Sequence, residues 1–269
     1  MGLQAGDVLI DDATHVDFVG GDKHGLVPRD YKVIPVGSFC PTFGTIDMPL
    51  IPRSEWSDRI KEMESTRSRI SDVLAVADNG KPIEALYQDG WPYCWGYSTG
   101  HAITAARAVA GLPYVKLSPF AVAYIIQKGR KEGAWGALSM QWAMDHGYPS
   151  QAKWPNLKAD MRLDTADLRA DMAKHKVTEG WIDLADPVYN RNLTFDQMMT
   201  CLLCRIPVVT DFNWWGHSVC AIDPVEVEPG SFAPRILNSH GTVFKEQLMV
   251  LQGARGVPNG ATALRSTNA

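Results

Sequence analysis

The sequence predicts an α+β fold in which helices come first along the chain and strands follow. Helical periodicity and capping signals fill most of the stretch between residues 54 and 204. After Pro207, short apolar runs rich in β-branched residues stand at 208–212, 218–222 and 235–237. Because helical and strand-like segments are segregated along the chain, the order favours an α+β fold over an alternating, parallel α/β sheet.

The helical half begins with an amphipathic stretch at 54–76, whose apolar residues fall on one stripe at helical spacing. A second helix is predicted from Cys94 to about Val109, where a Gly-Leu-Pro sequence ends it. Capping residues and turn signals predict four more helices, at 119–128, 141–146, 165–175 and 194–204.

Four segments organise the chain. Residues 1–53, the N-terminal arm, combine short β-like pieces with regularly placed prolines, so we expect an extended arm lying on the main domain or on a neighbouring subunit. Residues 54–82 form an amphipathic helix and a linker, residues 83–253 the main domain, and residues 254–269 a C-terminal tail. The β-like pieces of the arm lie at 8–10, 16–19 and 32–36.

Composition and charge exclude several classes of protein. The 269 residues are 45% hydrophobic and carry a net charge of −4, with scattered lysines and arginines, so we expect no nucleic-acid partner. No apolar run approaches the length that a membrane-spanning helix needs, and the first residues lack the pattern of a secretory signal. The five cysteines are too few and too sparse for a disulfide framework. A reducing, cytoplasmic setting is therefore expected.

Cys94 is the residue whose surroundings fit a nucleophile best. It opens a predicted helix, where the positive end of the helix dipole and unpaired N–H groups stabilise a thiolate. Gln88 lies six positions earlier, close enough for its side-chain amide and the Cys94 backbone N–H to converge on one oxyanion. The sequence contains no metal-ligand spacing such as HExxH, and neither a metal nor a cofactor is predicted.

Five short segments resemble the papain family, and they occur in the family's order. Residues 88–98, QDGWPYCWGYS, are similar to the family's active-site segment QGxCGSCWAFS. The other four are LSP at 117–119, GAWGA at 133–137 (family GCNGG), GHSV at 216–219 (family xHAV) and NSHG at 238–241 (family NSWG). The resemblance covers roughly residues 83–251 and implies a two-lobed papain-like fold with a helical left lobe and a β-rich right lobe.

The resemblance also implies a role for each matching residue. Cys94 would be the nucleophile, His217 its base, and Asn238 the group that orients the imidazole. Gln88 and the Cys94 backbone N–H would form the oxyanion hole. The implied activity is that of a thiol protease, which hydrolyses the amide bonds of a peptide or protein substrate through a thioester.

The substrate groove is implied by the same matches. Trp95 would pack the site, and Gly136 and Ala137 would line the groove and bind substrate backbone. Two positions that hold a disulfide in the family are occupied by Trp91 and Ala134, so this would be a divergent member without the family disulfides.

Three further departures from the family alter the predicted site. Pro92 replaces a glycine near the oxyanion hole, His240 replaces the tryptophan that covers the Asn–His bond, and Ala137 narrows the groove.

Two other functions remain open at this point. A papain-fold structural or assembly protein, for example a virion component, would use the N-terminal arm to bind an assembly partner. An amidase acting on cell-wall peptides would use the same Cys–His chemistry. The arm and the helix behind it also stand where papain-like zymogens carry an inhibitory prosegment, although the prosegment's helix motif is absent.

Overall fold

In a computed structural model, Leu3 and residues 7–19 and 24–267 are described. The helices of this part are α1 (Arg53–Ser65), α2 (Ile70–Leu74), α3 (Cys94–Val109), α4 (Pro119–Ile126), α5 (Gly136–Asp145), α6 (Ala166–Met172) and α7 (Pro187–Leu203). The strands are β1 (Val8–Ile10), β2 (Trp181–Asp183), β3 (Val208–Phe212), β4 (His217–Glu228), β5 (Ser231–Leu237), β6 (Leu248–Leu251) and β7 (Gly260–Leu264). The order of elements is α+β, as the sequence predicts.

The seven strands form one sheet in the order β1-β6-β5-β4-β3-β7-β2. Neighbouring strands are antiparallel except β1 and β6, which run parallel. The centre of the sheet is the β3–β4 hairpin, in which Phe212 pairs with His217. Gly216 ends the turn with a φ of +62°, a conformation that glycine adopts without steric cost. This turn sets His217 at the first position of the central strand β4.

The described residues form two large hydrophobic cores and one small cluster, and α3 belongs to the larger of the two cores. That core joins α3 and α4 to buried side chains of the sheet such as Val209 and Cys220. The second core packs α1 and α7 against the sheet through side chains that include Trp56, Met198 and Phe212. Because α3 packs along β4, the first residue of α3 and the first residue of β4 are brought to the same region.

The long amphipathic helix predicted at 54–76 is divided in two. The first helix ends at Ser65 and the second begins at Ile70. Between them, the Ser65 and Thr66 hydroxyls both donate to the Glu62 carbonyl, and Arg67 has a φ of +52°. Hydroxyl groups that bond the preceding turn compete with continued helix, which explains the break.

The two ends of the chain also depart from the sequence expectations. In the arm, 8–10 forms the predicted strand, but 16–19 overlaps a 3₁₀ helix at His15–Asp17 and 32–36 is a turn. The segment expected to be a C-terminal tail supplies β7, which pairs with both β2 and β3. The glycines and prolines around β7 are typical of a loop, so its five buried residues are not predicted as a strand. No helix among the described residues is long and apolar enough to cross a membrane.

α3 buries His101 without a hydrogen-bond partner for either ring nitrogen. Burial lowers the pKa of His101 to about 3, whereas an exposed histidine titrates near 6.5. The unfolded chain therefore binds a proton at His101 below about pH 6.5, whereas the native state binds it only below about pH 3. We expect the free energy of unfolding to fall by about 1.4 kcal/mol per pH unit from this residue as the pH drops through that window.

Urea unfolding of His101→Leu at several pH values measures this contribution. The substitution is expected to remove that part of the pH slope, and His15→Leu, at a partly exposed position, serves as the matched control. A slope that is unchanged in His101→Leu would show that His101 is protonated in the native state.

Candidate active site

The predicted nucleophile Cys94 stands at the first position of α3 and is fully buried. Its backbone N–H donates to the carbonyl oxygen of His24 across 3.4 Å. Its thiol accepts a hydrogen bond from the backbone N–H of Ser218, the residue that follows the predicted base. The start of the 16-residue helix α3 directs the positive end of its dipole at this thiol.

The predicted base and its orienting residue are in direct contact. His217 Nε2 lies 2.7 Å from Asn238 Oδ1. Asn238 is itself fixed, because its backbone N–H donates to the Gln247 carbonyl and its Oδ1 accepts the backbone N–H of Ser239. The other ring nitrogen, His217 Nδ1, is buried and has no hydrogen-bond partner, so no hydrogen bond joins it to Cys94.

Gln88, the predicted oxyanion-hole residue, is held by Ser239. The Ser239 hydroxyl donates to Gln88 Oε1, and the Gln88 backbone N–H donates to the Ser239 carbonyl across 3.1 Å. These bonds direct the Gln88 amide group so that Nε2 donates to the carbonyls of Trp91 and His24. Ser239 has no role among the residues predicted from the sequence, although its position directly after Asn238 is a signal that could have identified it.

One carbonyl oxygen already lies between the two predicted oxyanion-hole donors. His24 O is 3.3 Å from Gln88 Nε2 and 3.4 Å from the Cys94 backbone nitrogen. The arm thus supplies a peptide carbonyl at the point where an oxyanion would be bound. Nothing in the local sequence of His24 connects it with positions 88 and 94.

The arm residues that follow, 24–27, form a blocking segment along the site. Gly25 O accepts the Ala134 backbone N–H at 3.0 Å, and the Val27 N–H donates to Ala134 O at 2.9 Å. Leu26 donates its backbone N–H to Gly216 O at 3.1 Å and buries its side chain in the larger core. The blocking segment is therefore held by a short parallel bridge between Leu26 and Ala134, with one apolar side chain inserted.

The edge that pairs with the blocking segment is Ala134, not the predicted groove residues Gly136 and Ala137. Those two residues begin α5 and are buried. The Gly136 N–H donates to Asp211 Oδ2 at 3.3 Å, so it does not pair with an extended chain. Trp95 packs inside the core, and its indole N–H donates to the Pro92 carbonyl at 3.1 Å.

All five cysteines are free, and aromatic packing occupies one of the positions that hold a disulfide in the papain family. The ring centroid of Trp91 lies 4.9 Å from that of Phe120 and 5.9 Å from that of Tyr124. The Lys131 ammonium nitrogen lies 4.4 Å from the centre of the Trp91 ring, at the distance of a cation–π contact. These contacts join the active-site loop to α4 without a covalent bridge.

Burial keeps the candidate nucleophile and base uncharged in this conformation. It raises the pKa of the Cys94 thiol, and the nearby carboxylate of Asp211 raises it further. It also lowers the pKa of His217 well below its usual range, an effect that the neighbouring His24 and His240 increase. Asp211, which the sequence analysis missed, is itself buried, and this raises its pKa to about 6. A thiolate–imidazolium pair is therefore disfavoured while the site is covered.

The described chain is similar to solved structures of papain-like cysteine proteases. Xylellain, a cysteine protease from Xylella fastidiosa, is 16% identical with a TM-score of 0.57, over 91% of this chain and 96% of that one. Bromelain from Ananas comosus, in complex with the E64 inhibitor, is 16% identical with a TM-score of 0.54, over 74% and 97%.

The proform of the ragweed pollen protease Amb a 11 is 17% identical with a TM-score of 0.54, over 70% of this chain and 64% of that one, so less than two thirds of its length is covered. No sequence-family model and no curated protein sequence matches the chain. By its similarity to these solved structures, the fold of this chain is that of the papain-like cysteine proteases.

Proposed function

We propose that this chain is a papain-like cysteine peptidase, and that its own blocking segment keeps the site closed in the conformation described above. The observation that carries the proposal is the convergence of two donors, Gln88 Nε2 and the Cys94 N–H, on one peptide carbonyl oxygen. The side chain of the same residue, His24, packs against the imidazole of His217, whose Nε2 is bound by Asn238. Peptide-bond hydrolysis requires these same groups: a thiol, an oriented base and two donors for the oxyanion.

The chemistry follows from these positions. Cys94 Sγ attacks the substrate carbonyl carbon, its proton passes to His217 Nδ1, and the oxyanion is bound by Gln88 and the Cys94 N–H. The tetrahedral intermediate then collapses to a thioester and the C–N bond breaks, while His217 returns the proton to the leaving amine. Water then attacks the thioester with His217 as base, and the acid product and the Cys94 thiol are released. Asn238 accepts from His217 Nε2–H, so the tautomer with a basic Nδ1 is the one favoured.

Closure by the arm explains why the site is at rest in this conformation. The His24 carbonyl takes the place of the oxyanion, and the burial that the blocking segment imposes keeps Cys94 protonated and His217 neutral. Displacing the segment would admit both substrate and water, and water favours the charged pair that attack requires. Two of the similar structures, Amb a 11 and a procathepsin L of Tenebrio molitor, are a proform and a procathepsin.

Labelling of Cys94 by a mechanism-based epoxide tests the proposal, and Gly25 is the position at which to open the site. Gly25 has a φ of +101°, and a Cβ added there would lie 2.1 Å from the Pro92 carbonyl oxygen. Gly25→Ala is therefore expected to weaken docking of the blocking segment and to raise the labelling rate about tenfold or more. Intact-mass analysis and peptide mapping should show one adduct, on Cys94.

Two further variants make the labelling experiment decisive. Gly44→Ala is the matched control in the same arm, since nothing lies within 4 Å of its added Cβ, and it should label at the wild-type rate. Gly133→Ala should weaken docking of the same segment from the opposite side of the contact, because its added Cβ would lie 2.2 Å from Gly25 O. An adduct on Cys40, or no adduct in either opened variant, would show that Cys94 is not an activated nucleophile.

Point substitutions are preferable to removing the whole arm. Deleting residues 1–53 would also remove β1 and two buried ion pairs, Asp7 with Arg235 and Arg29 with Asp183. The loss of those contacts would destabilise the sheet and obscure the effect of opening the site. The opened variant is then assayed on an unfolded protein and on peptidoglycan, and new α-amino groups from the protein substrate are the expected product.

A further inference from the structure

Three histidines from distant parts of the sequence meet over the candidate active site. His24 belongs to the blocking segment, His217 begins β4, and His240 follows Asn238 in the loop after β5. We propose that these three imidazoles bind one divalent transition-metal ion of the zinc class, and that the ion fastens the arm over the site. The ion binding itself is independent of catalysis, while its effect on turnover rests on the proposed function.

The geometry of the cluster is close to that of a three-histidine metal site. One ring nitrogen from each residue lies within 4.8 Å of one from each of the others. His240 Nε2 and His24 Nδ1 are 3.1 Å apart, and the ring centroids of His24 and His217 are 4.2 Å apart. Two nitrogens of a tetrahedral zinc site, each about 2.0–2.1 Å from the ion, lie about 3.4 Å apart, so the widest pair in the cluster would have to approach by up to about 1.4 Å.

A buried nitrogen without a partner is the second observation that favours an ion. His217 is fully buried, and its Nδ1 has no hydrogen-bond partner, a situation that carries a desolvation penalty. Its other nitrogen is bound to Asn238 Oδ1, which fixes the ring and leaves Nδ1 as a lone-pair donor. A histidine that is oriented through its second nitrogen is the usual arrangement of a metal ligand.

Coordination requires that the three imidazoles be neutral. When the ion binds, the hydrogen bond between His24 and His240 is exchanged for two coordinate bonds. The single proton of that bond moves to the other nitrogen of its own ring, so no net proton is released. Neutral imidazole is a ligand that zinc, copper and nickel ions prefer.

Binding of the ion would stabilise the closed arm. Because His24 is on the blocking segment, the complete site exists only when the arm is closed. An ion that binds the closed form alone favours it by a factor of about 1 + [ion]/Kd, so an ion at 100 times its Kd favours closure about a hundredfold. The same ion would remove His217 Nδ1 from its role as base. Chelation would therefore act as an opening signal.

The test measures binding of Zn²⁺ and Co²⁺ to the full chain by competition with a chromophoric chelator and by visible absorption of Co²⁺. We expect one ion per chain in the wild type, in Cys94→Ser and in the arm control His15→Ala. His24→Ala and His240→Ala should each weaken binding at least tenfold. Thermal melting of each variant without metal establishes that it is folded, and His24→Asn provides a second variant if His24→Ala does not fold.

The results separate the possible ligands. Binding that is lost in Cys94→Ser but retained in His24→Ala and His240→Ala would place the ion on the thiol and overturn the proposal. Absence of stoichiometric binding in the wild type would overturn it as well. Neither result depends on turnover, so a failed metal site leaves the labelling of Cys94 as an independent test of the peptidase proposal.

Discussion

Replacing Gln88 with alanine in the opened Gly25→Ala chain is expected to lower kcat/KM for a peptide substrate by about 10²–10³-fold. In the closed structure the Gln88 amide donates to a carbonyl oxygen that the Cys94 N–H also reaches. The negative charge of the tetrahedral intermediate would develop on that oxygen, and removal of one of two buried donors leaves it half stabilised. Steady-state kinetics should assign most of the loss to kcat, because the interaction strengthens as charge develops.

A matched control is Gln141→Ala, in which the amide lost is at the surface and bonded to Asp145. It should leave kcat/KM within twofold of the opened parent. If Gln88→Ala is as active as this control, Gln88 does not contribute to the oxyanion hole.

The role of Ser239 can be separated from that of Gln88 in the same experiment. The Ser239 hydroxyl donates to Gln88 Oε1 and so directs the amide nitrogen at the His24 carbonyl oxygen, and we therefore expect Ser239 to act as a positioning residue. Ser239→Ala should therefore reduce kcat in the opened chain but have little further effect once Gln88 is alanine. Equal effects in both backgrounds would mean that Ser239 acts on stability alone.

Local sequence was enough to identify the residues of the main domain that the structure brings together around Cys94. Cys94 begins α3, the helix that its surroundings predict, and the 238–241 match contains both the Asn238 that contacts His217 and the Ser239 that holds Gln88. Residues within one short motif can be recognised from the sequence alone. The packing of α3 on β4 then brings the separate motifs together. The papain-like fold is confirmed by the similar structures.

Contacts made between distant segments could not be predicted in the same way. His24 reaches Gln88 and His240 across 64 and 216 residues, and no periodicity connects the arm with those positions. The groove residues Gly136 and Ala137 remain predictions. Among residues 133–137 it is Ala134 that pairs with Leu26, a contact between distant segments that the local sequence does not predict. The catalytic roles of Cys94, His217 and Asn238 remain predictions for the experiments above to test.

Arg235→Met is expected to have the largest effect on stability, a loss of about 3–5 kcal/mol in the free energy of unfolding. The Arg235 side chain is completely buried between Asp7 and Asp223, at 2.6 and 3.2 Å from their carboxylate oxygens. Methionine fills a similar volume but leaves two buried carboxylates facing each other without the guanidinium between them. Urea unfolding at pH 7 measures the loss.

The control for this substitution is Arg162→Met, which removes a surface pair with Asp160 and should leave the free energy of unfolding almost unchanged. A comparably small effect of Arg235→Met would mean that water reaches the two carboxylates once the guanidinium is gone.

Stability and closure are expected to separate in the Arg235→Met variant. Asp7 precedes β1, so the ion pair fastens the beginning of the arm to the sheet. The blocking segment is fastened elsewhere, by its own pairing with Ala134 and by the buried pair of Arg29 with Asp183 that follows it. Arg235→Met should therefore unfold at lower urea concentration yet label at Cys94 no faster than the wild type under native conditions. Faster labelling would show that the arm docks as one cooperative unit, with the sheet contact at Asp7 sharing control of the site.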